Sequence, residues 1–331
     1  MDWGQIFDNT ITQMFGVQAV YFALAAIGLN VHFGYTGLLN FGQAGFMAVG
    51  AYGVGISVAT YDLPFGIAVI IGLLSSVVFA LILGIPTLRL RADYLAIVTI
   101  AAAEIIRIMF RATTWRDITG GSNGINDFSD GFYSLNPYDG RVSFGFLDYS
   151  PRQMWVITVG WTLVLLSVGF VYLVIHSPWG RALKAVRDDE DAARALGKNA
   201  YSIKMQSLIL GGLFGALGGI IFALGQASIQ PSPQDYGTAK TFFIWVALIL
   251  GGTGSLWGPV IGSMMFSGLL AFTDSALRDA ERADNIPEWL MQGVQVGQIR
   301  FILMGLGLML LMIFRPQGIF GNKRELALDA Q

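Results

Sequence analysis

Residues 202–226 read SIKMQSLILGGLFGALGGIIFALGQ, and from Met205 to Gln226 the run carries no charge. Crossing the hydrocarbon core of a bilayer takes about 20 mainly apolar residues, which this stretch supplies. Its apolar side chains are continuous, whereas a barrel strand alternates apolar and polar positions over roughly ten residues. A membrane-spanning helix is the reading that fits. Comparable runs lie at 11–31, 41–61, 64–84, 93–110, 153–175, 239–257, 259–273 and 298–314. The expected fold is therefore all-α, a polytopic transmembrane helical bundle of about 8–10 spans.

The composition agrees. The 331 residues are 54% hydrophobic and 13% charged, about half the roughly 25% charge of soluble domains. The mean hydropathy is +0.59. Glycine, at 42 residues, is in excess, as in membrane helices whose backbones approach closely. The net charge of −2 comes without a basic run, so nothing points to nucleic acid. The absence of cysteine excludes disulfides, thiolate metal sites and cysteine nucleophiles. His32 and His176 stand in no metal-ligand spacing. The opening MDWGQIFDNT has no basic region, so the first apolar run is expected to stay as a membrane helix.

Charge placement predicts the orientation. Arg181, Lys184, Arg187, Arg194, Lys198 and Lys204 cluster after the 153–175 run, Arg89 and Arg91 sit in the 85–93 turn, and Arg315, Lys323 and Arg324 follow the last run. Basic loops stay on the cytoplasmic side. Loops 111–152 and 274–297 then fall outside, as does the N-terminus. Residues 1–331 read as one transmembrane domain.

Two glycine-rich interruptions share the pattern G-x-T-G-x-L. One is Gly34-Tyr35-Thr36-Gly37-Leu38-Leu39 and continues through Asn40 and Gly42. The other is Gly251-Gly252-Thr253-Gly254-Ser255-Leu256. They are either ordinary turns or broken helices in corresponding halves of a transporter, where freed backbone groups face the pathway. Asn40 and Gln43, neutral polar groups at membrane depth, would contact a passing solute or bond between helices. Glu104 is the ionisable residue deepest in an expected span, with Arg107 at i+3 placed to pair with it.

The segment 177–199 carries the most mechanism. Ser177-Pro178 is a helix start, and Gly197 with Asn199 is a stop. Leu183, Val186, Ala193 and Leu196 fall near one face between charged positions. This describes either a solvated connector or a helix that docks on a cytoplasmic partner, with alternating charge setting the register.

This segment resembles the cytoplasmic coupling loop of ATP-binding-cassette importer permeases. Asp191-Ala192-Ala193 followed by Gly197 is similar to their E-A-A-x-x-x-G motif, with Asp for Glu. Further residues carry the likeness: Gly34 to Gly45, Tyr94-Leu95-Ala96-Ile97-Val98-Thr99, Glu104-Ile105-Ile106-Arg107, Thr119-Gly120-Gly121-Ser122-Asn123-Gly124-Ile125, Gly251 to Pro259 and Arg315-Pro316-Gln317-Gly318-Ile319-Phe320. In order, over most of residues 20–321, the chain resembles the branched-chain amino-acid permease family, its LivM-like half. Segments 127–150 and 274–297 match none of its motifs.

The resemblance implies a permease subunit of the bacterial inner membrane, surrounded by lipid, that works by alternating access on leucine, isoleucine or valine. It implies a homologous second permease, two cytoplasmic ATPases holding ATP and magnesium, and an extracytoplasmic binding protein. No phosphate-binding G-x-x-x-x-G-K-[ST] loop occurs in the chain itself, so no cofactor and no catalysis are expected in it. ATPase coupling would fall to Arg181, Lys184, Arg187, Asp188, Asp189, Glu190, Asp191, Ala192, Ala193 and Gly197. The pathway would use Thr36, Gly37, Asn40, Gly42, Gln43, Glu104, Thr253 and Gly254, and the binding protein would meet Gly120, Gly121, Ser122 and Asn123. Rival readings are a permease for urea, short amides or another small polar solute, and an ion-coupled secondary transporter or channel, which needs no docking loop. An intramembrane enzyme would need a catalytic pair or an H-E-x-x-H metal motif, and none is present.

Overall fold

The computed structural model describes residues 3–89, 92–144 and 147–282, with isolated positions between 302 and 320. The expected span 298–314 and residues 283–297 lie outside this description. In chain order the elements are α1 (Trp3–Phe15), α2 (Val17–Thr36), α3 (Gln43–Ala59), α4 (Phe65–Thr87), α5 (Ala92–Arg111), α6 (Arg116–Thr119) and α7 (Asp130–Tyr133). A hairpin follows, β1 (Val142–Phe144) with β2 (Leu147–Tyr149). Then come α8 (Pro151–His176), α9 (Pro178–Asp188), α10 (Glu190–Ala195), α11 (Ala200–Gln226), α12 (Pro233–Tyr236), α13 (Thr238–Gly251) and α14 (Gly258–Arg282).

Helix α2 is the axis of the bundle. Its side chains are buried all round, which marks a helix enclosed by other helices. It packs antiparallel to α11: Thr36 meets Ser207 at one end, and Val17 lies beside Gly225 at the other. Facing Gly28 and Gly211 leave no room for a side chain between the two backbones, as in close membrane-helix packing. The outer helices show the converse. Ile70, Leu74 and Ile82 of α4, Ile97 and Ile105 of α5, and Leu166 and Leu173 of α8 are more than half exposed. So continuous an aliphatic surface belongs against lipid or another apolar chain. Among the described residues α2, α4, α8, α11 and α14 are long and apolar enough to cross a bilayer.

Three sequence expectations change. The 11–31 run is not one helix: Gly16 is extended (φ −71°, ψ 177°) and separates α2 from α1. Helix α1 buries only Ile6 and leaves Gln5, Asp8 and Asn9 exposed, so its composition suits a membrane surface rather than a core. The 239–257 run stops at Gly251, because Gly252 takes φ 109°. The 259–273 run continues through Arg282, so the start of the supposed loop 274–297 is helix. Loop 111–152, in turn, is built structure rather than open coil. Tyr149 OH donates to Thr12 O at 2.6 Å, and Tyr133 OH donates to Leu224 O at 2.6 Å.

The helix ends sort into two groups. The ends of α2, α4 and α8 and the start of α11 lie together: Arg187 reaches Gly34, and the Arg89 guanidinium lies 5.7 Å from the Tyr201 ring centroid. The opposite end holds the start of α2, the ends of α3 and α11, and residues 111–151. Arg89 and the basic residues of 181–204 thus share one end, the kind of clustering that the positive-inside rule associates with a cytoplasmic side.

Candidate functional site

The first glycine interruption is a break deep in the bundle. Gly37 ends α2 in the left-handed conformation (φ 72°), where glycine is favoured because it has no Cβ. The chain then climbs back beside α2. Gln43, the first residue of α3, donates through Nε2 to Ala25 O at 3.1 Å and Gly211 O at 3.2 Å. Helix α3 therefore starts level with Ala25, about three turns back from the end of α2. That explains how its short length still reaches the end of the bundle opposite the basic one.

A helix that starts at this depth exposes unpaired N–H groups where no water reaches, at a cost of several kcal/mol each. Side chains from neighbouring segments satisfy them. Phe41 N donates to Thr99 Oγ1 of α5 at 3.0 Å, Gly42 N to Asn40 Oδ1 at 2.8 Å, and Ala44 N to Thr241 Oγ1 of α13 at 2.9 Å. Trp245 Nε1 donates to Asn40 O at 3.2 Å. Asn40 Nδ2 bonds His32 Nδ1 at 3.0 Å and Gln43 Oε1 at 3.1 Å. Since His32 Nε2 faces Leu208 O at 3.1 Å, and a carbonyl only accepts, the partners fix the neutral tautomer with its proton on Nε2. Thr36 Oγ1 donates to Val31 O at 2.9 Å and meets Ser207 at 2.7 Å. Thr36, Asn40 and Gln43 are thus buried, with their side chains bonded to neighbouring segments of the bundle.

The second interruption lies nearer the basic end and leans on the first. Gly254 is left-handed (φ 73°). Asn30 of α2 accepts from Gly254 N at 2.8 Å and donates to Ser255 O at 2.9 Å. Ser255 Oγ donates to Gly252 O at 2.8 Å and accepts from Gly258 N at 3.0 Å. A Cβ on Gly34 would stand 2.6 Å from Gly254 N, so the two motifs touch through their glycines. The C-terminal Gly-Ile-Phe closes the open end of α13, with Ile319 N donating to Leu250 O at 3.1 Å and Phe320 N to Gly251 O at 3.0 Å.

The charged loop forms two helices over a small core of its own, Leu183, Val186, Ala193, Ala200 and Ile203. Ser177 caps α9, accepting from Gly180 N at 3.2 Å. Asp189 breaks the helix and caps α10, its Oδ1 accepting from Asp191 N and Ala192 N, each at 2.9 Å. Helix α10 ends at Ala195 with Leu196 as its C-cap, so Leu196 is 82% exposed and leaves the face on which Leu183, Val186 and Ala193 are buried. Glu190 pairs with Arg194 at 2.6 Å and with Lys204 of α11. Arg181, Asp188, Asp191, Ala192 and Gly197 are exposed, while Lys184 is half-buried. Arg187 points inward: Nη1 donates to Gly34 O at 2.6 Å, and its Cγ lies 3.2 Å from where a Gly37 Cβ would be.

At the other end, Arg107 is buried and Glu104 is partly exposed. Arg107 Nε donates to both carboxylate oxygens of Glu104 at 3.1 Å, and Nη1 donates to Pro231 O at 3.0 Å. The 119–125 segment docks beside that joint: Thr119 Oγ1 donates to Phe110 O at 2.9 Å, and Ile125 and Ile229 exchange backbone bonds of 2.9 Å. Gly120 and Gly121 fold under, leaving Ser122 and Asn123 exposed. Thr253 and Gly254 are half-buried.

The structure therefore joins the two breaks, Arg187 and the C-terminal motif at one junction, and leaves Glu104 and 120–123 apart from it. Sequence reasoning missed Asn30, His32, Thr99 and Thr241. Each is a polar residue inside an apolar run, and that signal was available. Among the described residues no group of three or more His, Cys, Asp or Glu stands close enough to hold a metal.

Comparison with known proteins gives a consistent picture. Residues 11–303 match the profile of the permease component of branched-chain amino acid transport systems. The high-affinity branched-chain amino acid transport system permease protein LivM of Escherichia coli K12 is 32% identical over 314 residues, covering 92% of this chain and 68% of the relative. The probable LivM of Methanocaldococcus jannaschii is 26% identical, covering 91% of this chain and 90% of the relative. A more partial likeness, 28% over 36% of each chain, is to the autoinducer 2 import system permease protein LsrC of Photorhabdus laumondii.

Proposed function

Because this chain belongs to the family of permease components of branched-chain amino acid transport systems, we propose that it carries leucine, isoleucine or valine across the bacterial inner membrane as one subunit of an ATP-driven importer. Similarity to LivM along 92% of the chain supports this substrate class. The autoinducer 2 permease, similar over only 36%, supports it less. The subunit itself is a transport component. In this reading residues 1–331 act as one permease domain paired with a homologous permease, two cytoplasmic ATPases and an external binding protein.

The observation that carries the mechanism is the contact of Arg187 with the end of α2. An ATPase docked on the exposed face of Arg181, Asp188, Asp191, Ala192 and Leu196 would push a loop held rigid by its own core and by Asp189. Arg187 passes that displacement to Gly34 and Gly37, and Glu190 passes it through Lys204 to α11. Both breaks then move together, since Asn30 and the Gly34–Gly254 contact tie them. Thr36, Asn40, Gly42 and Gln43 hold the first break as a hinge beside the pathway, and Thr253 and Gly254 face it from the second. Glu104, paired to Arg107, braces the outer end, and Gly120 to Asn123 meet the binding protein.

The test is reconstitution of the chain with its sister permease, ATPases and binding protein in vesicles. ATP-dependent leucine uptake is expected. Uptake of urea or a short amide without leucine would remove the amino-acid assignment and leave the importer reading standing.

A further inference from the structure

A cavity of about 440 Å³ opens at the outer end between α1, α2, α13 and α14, within the roughly 300–1,000 Å³ of small-molecule sites. It lies on the far side of the bundle from the coupling loop, and the transport mechanism above makes no use of it. Its rim is polar, with Asn9, Gln13 and Gln18 from α1 and α2 and Asp274 from α14. Its inner wall holds Lys240, a side chain only 6% exposed.

Lys240 is the unusual group. Its ammonium sits 4.1 Å from the Phe222 ring centroid and 5.1 Å from that of Tyr21. Among the described residues no salt bridge to a carboxylate is formed by it, and the Asp235 carboxylate is the acidic group whose charge acts on it from nearby. Aromatic faces attract a cation but accept no strong hydrogen bond. A buried ammonium has three donors to satisfy, and leaving them unmet is costly. The remaining open side of the ammonium is the cavity.

We propose that this cavity binds the carboxylate of a small water-borne molecule, with Lys240 as the anion's partner. The amides of Gln13 and Gln18 supply further donors, and Phe22, Phe243 and Leu270 supply an apolar wall. Asp274, already bonded to Arg278 at 2.9 Å, stands at the rim where the cationic end of a zwitterion would lie. Free carboxylates and anionic lipid headgroups share this charge chemistry. The polar rim favours the water-borne source over an acyl-chain-bearing one. The site rests on geometry alone, and only the choice of leucine as one probe rests on the amino-acid reading.

The full chain in nanodiscs of uncharged-net phosphatidylcholine is titrated calorimetrically with isovalerate, leucine and isopentylamine. Isovalerate and leucine are expected to bind and isopentylamine is not. Lys240→Met should weaken isovalerate binding by at least about tenfold, the loss of a charge-assisted contact. Gln18→Glu, which places a competing carboxylate at the rim without touching the core, should weaken it similarly and covers the case in which Lys240→Met does not fold. Binding of isovalerate but not leucine keeps the site and separates it from the transported substrate. No isovalerate binding by the unaltered chain, or equal binding by both variants, overturns the proposal. So does a Lys240-dependent stabilisation by phosphatidylglycerol that isovalerate fails to displace.

Discussion

The two glycine breaks share a sequence pattern and a local conformation but differ in depth. Gly37 and Gly254 occupy the same place in G-x-T-G-x-L and have φ 72° and 73°. Beyond that turn they diverge. The first break re-enters the bundle and is closed by side chains of three other segments, with Asn40 and Gln43 fully buried. The second stays near the basic end, is closed largely by its own Ser255 and leaves Thr253 and Ser255 half-buried. The motif sets how the chain turns, and the polar residues waiting on neighbouring helices set how deep it turns. Where water substitutes for a lost partner, a substitution costs little, and where it does not, the cost is the full desolvation of an orphaned group.

The largest effect is therefore expected at Asn40. Leucine there removes the acceptor of Gly42 N and the donor to His32 and Gln43, for a loss of about 3–5 kcal/mol. A solute-contact role for Asn40 would make Asn40→Leu harm uptake more than assembly. The network predicts that it harms both, read as a lowered unfolding midpoint in detergent alongside lost uptake. An unchanged midpoint would mean that the network does not hold the break.

Asn30→Leu acts on the second break and on its tie to the first. It frees Gly254 N and Ser255 O, with an expected loss of about 2–3 kcal/mol, smaller because these groups are only partly shielded. A midpoint lower than that of Asn40→Leu would reverse the depth ranking.

Arg187→Met separates coupling from folding. The Gly34 carbonyl loses a charge-assisted donor, which costs about 1–2 kcal/mol at this half-buried place. Uptake should fall to background while ATP hydrolysis persists, measured on the same vesicles. Normal uptake would reduce the 177–199 segment to a connector.

Much of this was legible before any coordinates. Continuous apolar runs gave α4, α8 and α11 nearly to their ends, because a membrane helix is specified by composition over its whole length. Ser177-Pro178 and Gly197 bounded the charged loop through capping preferences that act locally. What stayed hidden was relational. Gly16 lies in an unbroken apolar-looking run, and only the exposure of α1 against the burial of α2 shows that it divides two helices. The pathway assignment of Thr36, Asn40 and Gln43 rested on polarity at depth, which does not say whether a solute or a backbone amide is the partner. The partners, Thr99 and Thr241, are remote in sequence. Leu196 leaves the face it shares with Leu183, Val186 and Ala193 because α10 ends at Ala195, whereas the stop signal read from sequence lay at Gly197.

A pair of variants, one of which carries the smallest expected loss, sharpens the comparison most, because it sets two like bonds against each other. Thr241 Oγ1 accepts from Ala44 N at 2.9 Å beside the first break, and Ser255 Oγ accepts from Gly258 N at 3.0 Å at the second. Each hydroxyl takes an N–H from the opening of a helix, so each acts as a cap, and the bonds differ by only 0.1 Å. Thr241 is fully buried and on another helix, while Ser255 is half-buried and local. Thr241→Val keeps the shape and strands a donor in the core, at about 2–3 kcal/mol. Ser255→Ala leaves Gly258 N where solvent can replace the hydroxyl, at about 0.5–1 kcal/mol, the low end for caps. Denaturation of both variants under the same conditions reads the difference. Equal losses, or a larger loss for Ser255→Ala, would show that depth is not what distinguishes the two breaks.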